Sequence, residues 1–152
     1  MITQWALSSF ANLDGAQPYV DAAEHLFARA VDDAWNADGA EGLVYTTDWN
    51  GTPVVTDRMH WTAAESLNTA ATLHAATGEA RYANWYATFA RYVDEHVIDH
   101  EGGSWFHQLD GANRVIGTVW PGKSDLYHAF QSTLIPFLDP AVSIATAVKN
   151  AA

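Results

Sequence analysis

Phe27-Ala28-Arg29-Ala30-Val31-Asp32-Asp33 recurs as Phe89-Ala90-Arg91-Tyr92-Val93-Asp94-Glu95, an offset of 62 residues. Without a gap, the same offset pairs Val44 with Phe106 and Asp48 with Asp110, so Asp48-Trp49-Asn50-Gly51 coincides with Asp110-Gly111-Ala112-Asn113. Such a repeat implies one supersecondary unit used at least twice and stacked on its own copy.

The unit has a helix followed by a hairpin. After Pro18, the residues Tyr19, Ala22, Ala23, Leu26, Ala30 and Val31 fall at helical spacing, and proline suits the first turn of a helix. Asp38-Gly39 should end it. Leu43 to Thr47 and Thr52 to Thr56 read as strands around the Asn50-Gly51 turn, with Pro53 placing the second at an edge. In the second copy Tyr82, Trp85, Tyr86, Phe89, Val93 and Val97 form one apolar helical face. Ser104 to Leu109 and Arg114 to Thr118 should form the second hairpin.

A further helix is expected between the copies, from about Asp57 as N-cap to Thr77, with Gly78 as the stop. Thr77-Gly78-Glu79 only reverses the chain, making an αα-hairpin. Helices are also expected over Ile2 to Leu13, Lys123 to Ile135 and Ala141 to Asn150. The sum is about six antiparallel helices with two short hairpins. This suits an open solenoid or a closed α/α toroid. A hairpin after every second helix favours the toroid, with the long connections gathered on one rim to build a site.

The 152 residues suffice for one domain with its own core. No apolar run approaches the roughly 20 residues of a membrane helix, and no secretory leader is recognisable. There are no cysteines, which removes thiolate catalysis and cysteine zinc sites and fits a cytoplasmic protein. Seven Lys+Arg against 18 Asp+Glu give a formal net charge of −11. That surface repels phosphate backbones and favours a neutral substrate over nucleic acid. Seven tryptophans and six tyrosines can serve as core. They can also serve as flat platforms on which sugars stack.

Four motifs occur in order: Arg58-Met59-His60-Trp61-Thr62-Ala63-Ala64-Glu65, Thr77-Gly78-Glu79-Ala80-Arg81-Tyr82, Gly103-Ser104-Trp105-Phe106-His107-Gln108-Leu109-Asp110, and Trp120-Pro121-Gly122-Lys123-Ser124-Asp125-Leu126-Tyr127-His128. Together they resemble the C-terminal half of the N-acylglucosamine 2-epimerase superfamily, in particular its bacterial aldose–ketose isomerases acting on mannose and related sugars. The resemblance covers nearly the whole chain. It implies an all-α fold, half of an (α/α)6 barrel, with residues 1–152 as one domain and two β-hairpins on one rim. It also implies proton shuttling between C1 and C2 of an open-chain sugar, with no metal or other cofactor.

The resemblance places one proton-transfer histidine of the family on His128. It places the other on Met1, and a glutamate on Gln4, because Gln4-Trp5-Ala6 aligns with a Glu-Trp-Ala motif. The complete enzymes resemble a chain more than twice this long, so the lone chain is expected to be an incomplete, inactive isomerase. A homodimer, or a separate chain supplying the other half-barrel, would complete it. Two rival readings are a non-catalytic carbohydrate-binding half-barrel and a folded gene fragment without function.

Residue chemistry narrows the site. Histidine exchanges protons near neutral pH, which suits His128 to acid–base work. His60 and Trp61 offer a sugar-stacking edge, and Glu65 lies one turn beyond Trp61 on the same face. His107 and Gln108 alternate on a strand, so at most one faces the cavity. The matched motifs imply Arg58, Trp105, Lys123 and Asp125 as further sugar-binding positions. His25, His74, His96 and His100 read as structural. No ligand spacing for zinc or calcium, phosphate loop, dinucleotide fingerprint or nucleophile elbow is present.

Overall fold

The computed structural model describes residues 17–124, 126–140 and 142–151. The expected helix over Ile2 to Leu13, and the positions Met1, Gln4 and Asp125, lie outside them. Five α-helices occur among the described residues: α1 (Gln17–Ala34), α2 (His60–Thr77), α3 (Ala80–Tyr92), α4 (Leu126–Leu134) and α5 (Ile144–Ala151). A π-helical turn, Val93–Val97, extends α3, and a 3-10 turn, Ile135–Phe137, extends α4. The short strands are β1 (Thr46–Thr47), β2 (Pro53–Val55), β3 (Arg58–Met59), β4 (Gln108–Leu109) and β5 (Val115–Ile116).

Helix α2 is central. It packs against α1, α3, α4 and the 3-10 turn. It is buried on several sides, through His60, Ala63, Ala64, Leu67, Asn68, Ala70, Thr72 and Leu73. Its polar residues are mostly small, and its alanines let neighbouring helices approach closely on several sides. Helices α1 and α3 are amphipathic and bury one face each. The repeated phenylalanines meet there: Phe27 and Phe89 lie 6.3 Å apart edge to face, with Tyr82 at 5.5 Å from Phe27 and Trp35 at 5.2 Å from Phe89.

The repeat is also visible in the backbone. Asp48 Oδ1 accepts the N–H groups of Asn50 and Thr52, and Asp110 Oδ1 accepts those of Ala112 and Arg114. Gly51 and Asn113 occupy the same left-handed position, at φ 81° and 60°. The offset is not gapless throughout. Trp35 N–H bonds Val31 four residues back, whereas Ile98 N–H bonds Val93 five residues back. Trp35 then bridges Leu43, eight residues on, and Ile98 bridges Trp105, seven residues on. The extra residue in the second helix is absorbed as the π turn. A loop shorter by one restores the register.

Several expected boundaries move. Helix α1 stops at Ala34 rather than near Asp38, because Asn36 turns left-handed at φ 58° and its N–H bonds Gly42. Helix α2 begins at His60, not Asp57. Arg58 and Met59 instead pair antiparallel with β4, joining the β4–β5 hairpin in a three-stranded sheet. Asp57 is therefore no N-cap, and its carboxylate accepts Gln108 Nε2 at 2.5 Å. Lys123 is extended, bridging Phe106, and α4 starts at Leu126. Helix α5 starts at Ile144 after Ser143, whose Oγ accepts Thr146 N–H at 3.3 Å. The αα-hairpin between α2 and α3 stands as expected, with Gly78 left-handed and bonded back to His74.

Arg58 holds the sheet to the first loop. Its guanidinium is buried and donates to both Asp38 oxygens, at 3.1 and 2.7 Å, and to the carbonyls of Ala40, Glu41 and Thr56. Gly42 lies against it with φ 115°. A Cβ there would stand 2.7 Å from Arg58 Nε and from the Tyr92 hydroxyl. At Gly78, also left-handed, a Cβ would meet nothing within 4 Å. Urea denaturation should separate the two cases. Gly78→Ala is expected to cost about 1 kcal/mol from backbone conformation alone, and Gly42→Ala about 3 kcal/mol or more because strain and overlap add. Equal costs would remove the close-approach argument.

Candidate functional site

Strand β4 sets the site. Gln108 is fully buried, and its amide donates to Asp57 and Thr118 and accepts Val119 N–H. His107, the bend residue just before β4, sets its ring among other rings instead. The ladder continues past Met59: His60 N–H donates to the His107 carbonyl at 3.2 Å. That bond brings the first residue of α2 beside β4. The His60 and His107 rings meet edge to face, with centroids 4.4 Å apart.

Other rings complete a wall. Trp61 lies 5.3 Å from His60 and 5.9 Å from His107. Trp120 stacks on His107 at 5.8 Å, with an interplanar angle of 17°. Tyr45 of the first hairpin meets Trp61 edge-on at 5.8 Å. On the other side of His60, His128 lies at 5.9 Å. His60 is buried at 1% exposure, whereas Trp120 is 51% exposed.

Glu65 and His128 form the polar end. Glu65 stands on α2 and His128 on α4, and His128 Nδ1 lies 2.9 Å from Glu65 Oε1. A carboxylate only accepts, so Nδ1 carries the proton and the basic lone pair is on Nε2. Should the ring gain a second proton, the same carboxylate stabilises the cation. Glu65 also lines a groove between α1 and α2 with Tyr45, Thr62, Ser66 and Thr69.

The structure thus gathers five of the positions nominated above: His60, Trp61, Glu65, His107 and His128. The side chains of four others are engaged in different contacts. Arg58 is bound to Asp38 and the loop carbonyls, Trp105 is in the hydrophobic core, and Gln108 is held as described. Lys123 pairs with Asp99 and lies 4.3 Å over the Phe106 ring. Asp125 lies outside the described residues. Trp120, Tyr127 and Tyr45 were not nominated. Trp120 and Tyr127 lie within the quoted Trp-Pro-Gly run, and left-handed Gly122, at φ 97°, marks the turn between Trp120 and α4. Tyr45 had no local signal, because a hairpin tyrosine meets its partner only after folding.

The remaining histidines sit apart. His25 is exposed, His74 Nδ1 lies 3.2 Å from the Glu79 carbonyl, and His100 lies against Asp94. His96 clusters with Glu41 and Glu95, close enough for a shared cation. The Arg91 guanidinium already pairs with both carboxylates and holds Glu41 below its ordinary range.

A family model for N-acylglucosamine 2-epimerase matches residues 1–132. The chain belongs to this family. It is 47% identical over 131 residues to a D-mannose isomerase of Pseudomonas cannabina pv. alisalensis, covering 86% of this chain and 32% of that protein. It is 46% identical over 129 residues to a D-mannose isomerase of Thermobifida fusca, covering 84% and 32%. A crystal structure of D-mannose isomerase superposes with a TM-score of 0.77 at 29% identity, over 88% of this chain and 35% of that one. A cellobiose 2-epimerase from Spirochaeta thermophila shares the fold at 14% identity, TM-score 0.69, over 97% and 39%. The chain therefore matches part of the (α/α)6-barrel fold of the epimerases, and it spans about a third of the length of the relatives it matches. No helix among the described residues is long and apolar enough to cross a membrane.

The loop that carries Lys123 yields a pH prediction. Asp99 accepts the N–H groups of Gly102 and Glu101 as well as Lys123, and chiefly the Gly102 bond lowers its carboxyl to about 2. A depressed carboxyl contributes stability that is complete above its ordinary range and is lost as pH falls through the folded value. Asp99→Asn should therefore lower Tm at pH 6, and the gap to wild type should close between about pH 4 and pH 2. A gap unchanged at pH 2 would show that the carboxylate's charge is not what holds the loop.

Proposed function

We propose that this chain forms one wall of a sugar isomerase or epimerase site, of the kind that interconverts an aldose and a ketose by histidine proton transfer. The observation that carries this reading is the His128–Glu65 pair beside the His60, His107, Trp61 and Trp120 rings. His128 is the acid–base group. With its Nδ1 proton on Glu65, Nε2 takes the proton from C2 of an open-chain sugar and returns it at C1. The aromatic rings supply a flat apolar surface for sugar C–H faces. The likeness to D-mannose isomerases supports mannose as the aldose and fructose as the ketose.

The wall needs a counterpart. The relatives are about three times as long, and α4 with its 3-10 turn exposes Leu126, Phe130 and Phe137, the last 83% exposed. Apolar surface of that kind supports association. A second copy, or a separate chain supplying further barrel helices, would cover it and bury at least about 1,000 Å². Light scattering should show a dimer or larger species at micromolar concentration, and a stable monomer would count decisively against it.

Binding and turnover test the site. Mannose or fructose at millimolar concentration should quench tryptophan fluorescence saturably, and Trp61→Ala should weaken the effect. No response to any hexose or disaccharide would end the sugar-site reading. Each acid–base group contributes about 10²–10⁴-fold, and the resemblance puts Met1 and Gln4 where a second histidine and a glutamate are expected. The isolated chain should therefore convert mannose to fructose negligibly by NMR. A polypeptide that completes the barrel should restore turnover, and His128→Ala should abolish it. Robust turnover by the chain alone, unchanged in His128→Ala, would sink the assignment.

A further inference from the structure

We propose that Asn50 is a modification site: it deamidates through the Gly51 nitrogen, and the isoaspartate formed loosens the hairpin that carries Tyr45. Both turns of the duplicated unit contain an asparagine. In the second, Asn113 is tied down. Its Nδ2 donates to the Glu41 carbonyl and its Oδ1 accepts the Tyr92 hydroxyl, both at 2.9 Å. In the first, Asn50 is exposed, and among the described residues nothing hydrogen-bonds its side-chain amide. Its neighbour Trp49 is fully exposed as well, so the tip of this hairpin stands in water.

Glycine follows Asn50, so no Cβ crowds the attacking nitrogen. The first step is a ring closure. Hydroxide takes the Gly51 amide proton, the nitrogen bonds to Asn50 Cγ, and the Cγ–Nδ2 bond breaks. Nδ2 leaves as ammonia with a proton from water. Water then opens the succinimide at either carbonyl, giving aspartate or isoaspartate. The sum is one water consumed and one ammonia released, with nothing oxidised or reduced. In the closed turn the Gly51 N–H is bonded to the Asp48 carbonyl at 3.0 Å, so attack follows local opening. Strands β1 and β2 form a two-stranded sheet apart from the three-stranded one. A hairpin of that kind is only marginally stable, and it opens readily.

The fold protects the comparable positions. Asp38-Gly39 and Asp110-Gly111 can close the same ring from a carboxyl group, but both carboxylates are engaged. Arg58 holds Asp38, and Asp110 is held by Arg114 and by the N–H groups of Ala112 and Arg114. Asn36, Asn84 and Asn113 precede Ala37, Trp85 and Arg114, each of which bears a Cβ. The product bears on the ring wall. Asp48 Oδ1 accepts the N–H groups of both Asn50 and Thr52. An isoaspartyl link adds one main-chain carbon between those two nitrogens, so one oxygen no longer spans them. The base of the same hairpin is the Tyr45 N–H bond to the Val55 carbonyl, and the Tyr45 ring meets Trp61.

Ageing the full chain tests this. Wild type and Asn50→Gln are incubated in alkaline buffer, folded and in urea, and isoaspartate is located by peptide mapping. In the folded wild type it should form at position 50 about tenfold or more faster than at any other position. Asn50→Gln should form none there. Urea should speed closure at Asn50, because opening of the turn limits it. The isoaspartyl chain, purified by its added negative charge, is then compared with fresh protein by hydrogen exchange. Its Tyr45 amide should exchange about tenfold or more faster, with the amides of buried α2 unchanged. An Asn50 still intact when another asparagine or aspartate of the folded chain has reacted would overturn the proposal. A rate unchanged in urea would overturn the gating by the turn. Unchanged exchange at Tyr45 in the isoaspartyl chain would overturn the loosening of the hairpin.

Discussion

The buried guanidinium of Arg58 is the constraint on which the rest of the site depends. A charge out of water is tolerable only when it is paired and its N–H groups are satisfied. Here Asp38 neutralises it, and the carbonyls of Ala40, Glu41 and Thr56 take the remaining donors. Those partners all belong to the segment between α1 and β3. Satisfying Arg58 therefore folds that segment onto the sheet and keeps Arg58 and Met59 extended, so that α2 starts at His60. Two residues more of helix would carry His60 away from the His107 carbonyl it now bonds. Asp38, held below its ordinary range chiefly by the Arg58 bond, remains the carboxylate partner at any pH near neutrality.

The duplicated unit shows how one solution is used twice without being identical. The aspartate turns at Asp48 and Asp110 repeat bond for bond, because a side-chain oxygen that captures two backbone N–H groups is a local device indifferent to its surroundings. The helix ends differ because their surroundings do. After α1, Trp35 turns in to pack on Trp85, Phe89 and Tyr92. After α3, the π turn buries Val93 and Val97 in the core. The second copy thus gains a residue in its helix and gives one up in its loop, and both hairpins still leave the helical layer in the same register.

Most of the helical frame was legible in the sequence. Gly78 stops α2 as its position predicted, and the apolar face of α3 is buried through Tyr82, Phe89 and Tyr92. What was not legible had non-local causes. Asp57 looks like an N-cap by type and position. Its carboxylate goes instead to Gln108, 51 residues away. Lys123 looks like the start of a helix, but Ser124 N–H bonds the Trp105 carbonyl and holds the strip extended. Site residues divide the same way. Trp61 and Glu65 share a face of α2, and spacing alone revealed it. That His107 rather than Gln108 faces the rings was decided by the partners of Gln108. Trp120 becomes part of the wall only because the chain turns back near Gly122.

The division of labour among these residues also explains why the wall can be orderly without a ligand. Sites carried on rigid elements hold their geometry better than sites on loops. His60, Trp61 and Glu65 come from the first turns of a buried helix, His128 from the first turn of another, and His107 from the bend just before β4. Trp120, from the loop before α4, is the most exposed of these six. The histidine rings are thus held at fixed angles by their neighbours. A wall built in this way holds His60, Trp61, His107 and the Glu65–His128 pair in fixed relation through packing and hydrogen bonding.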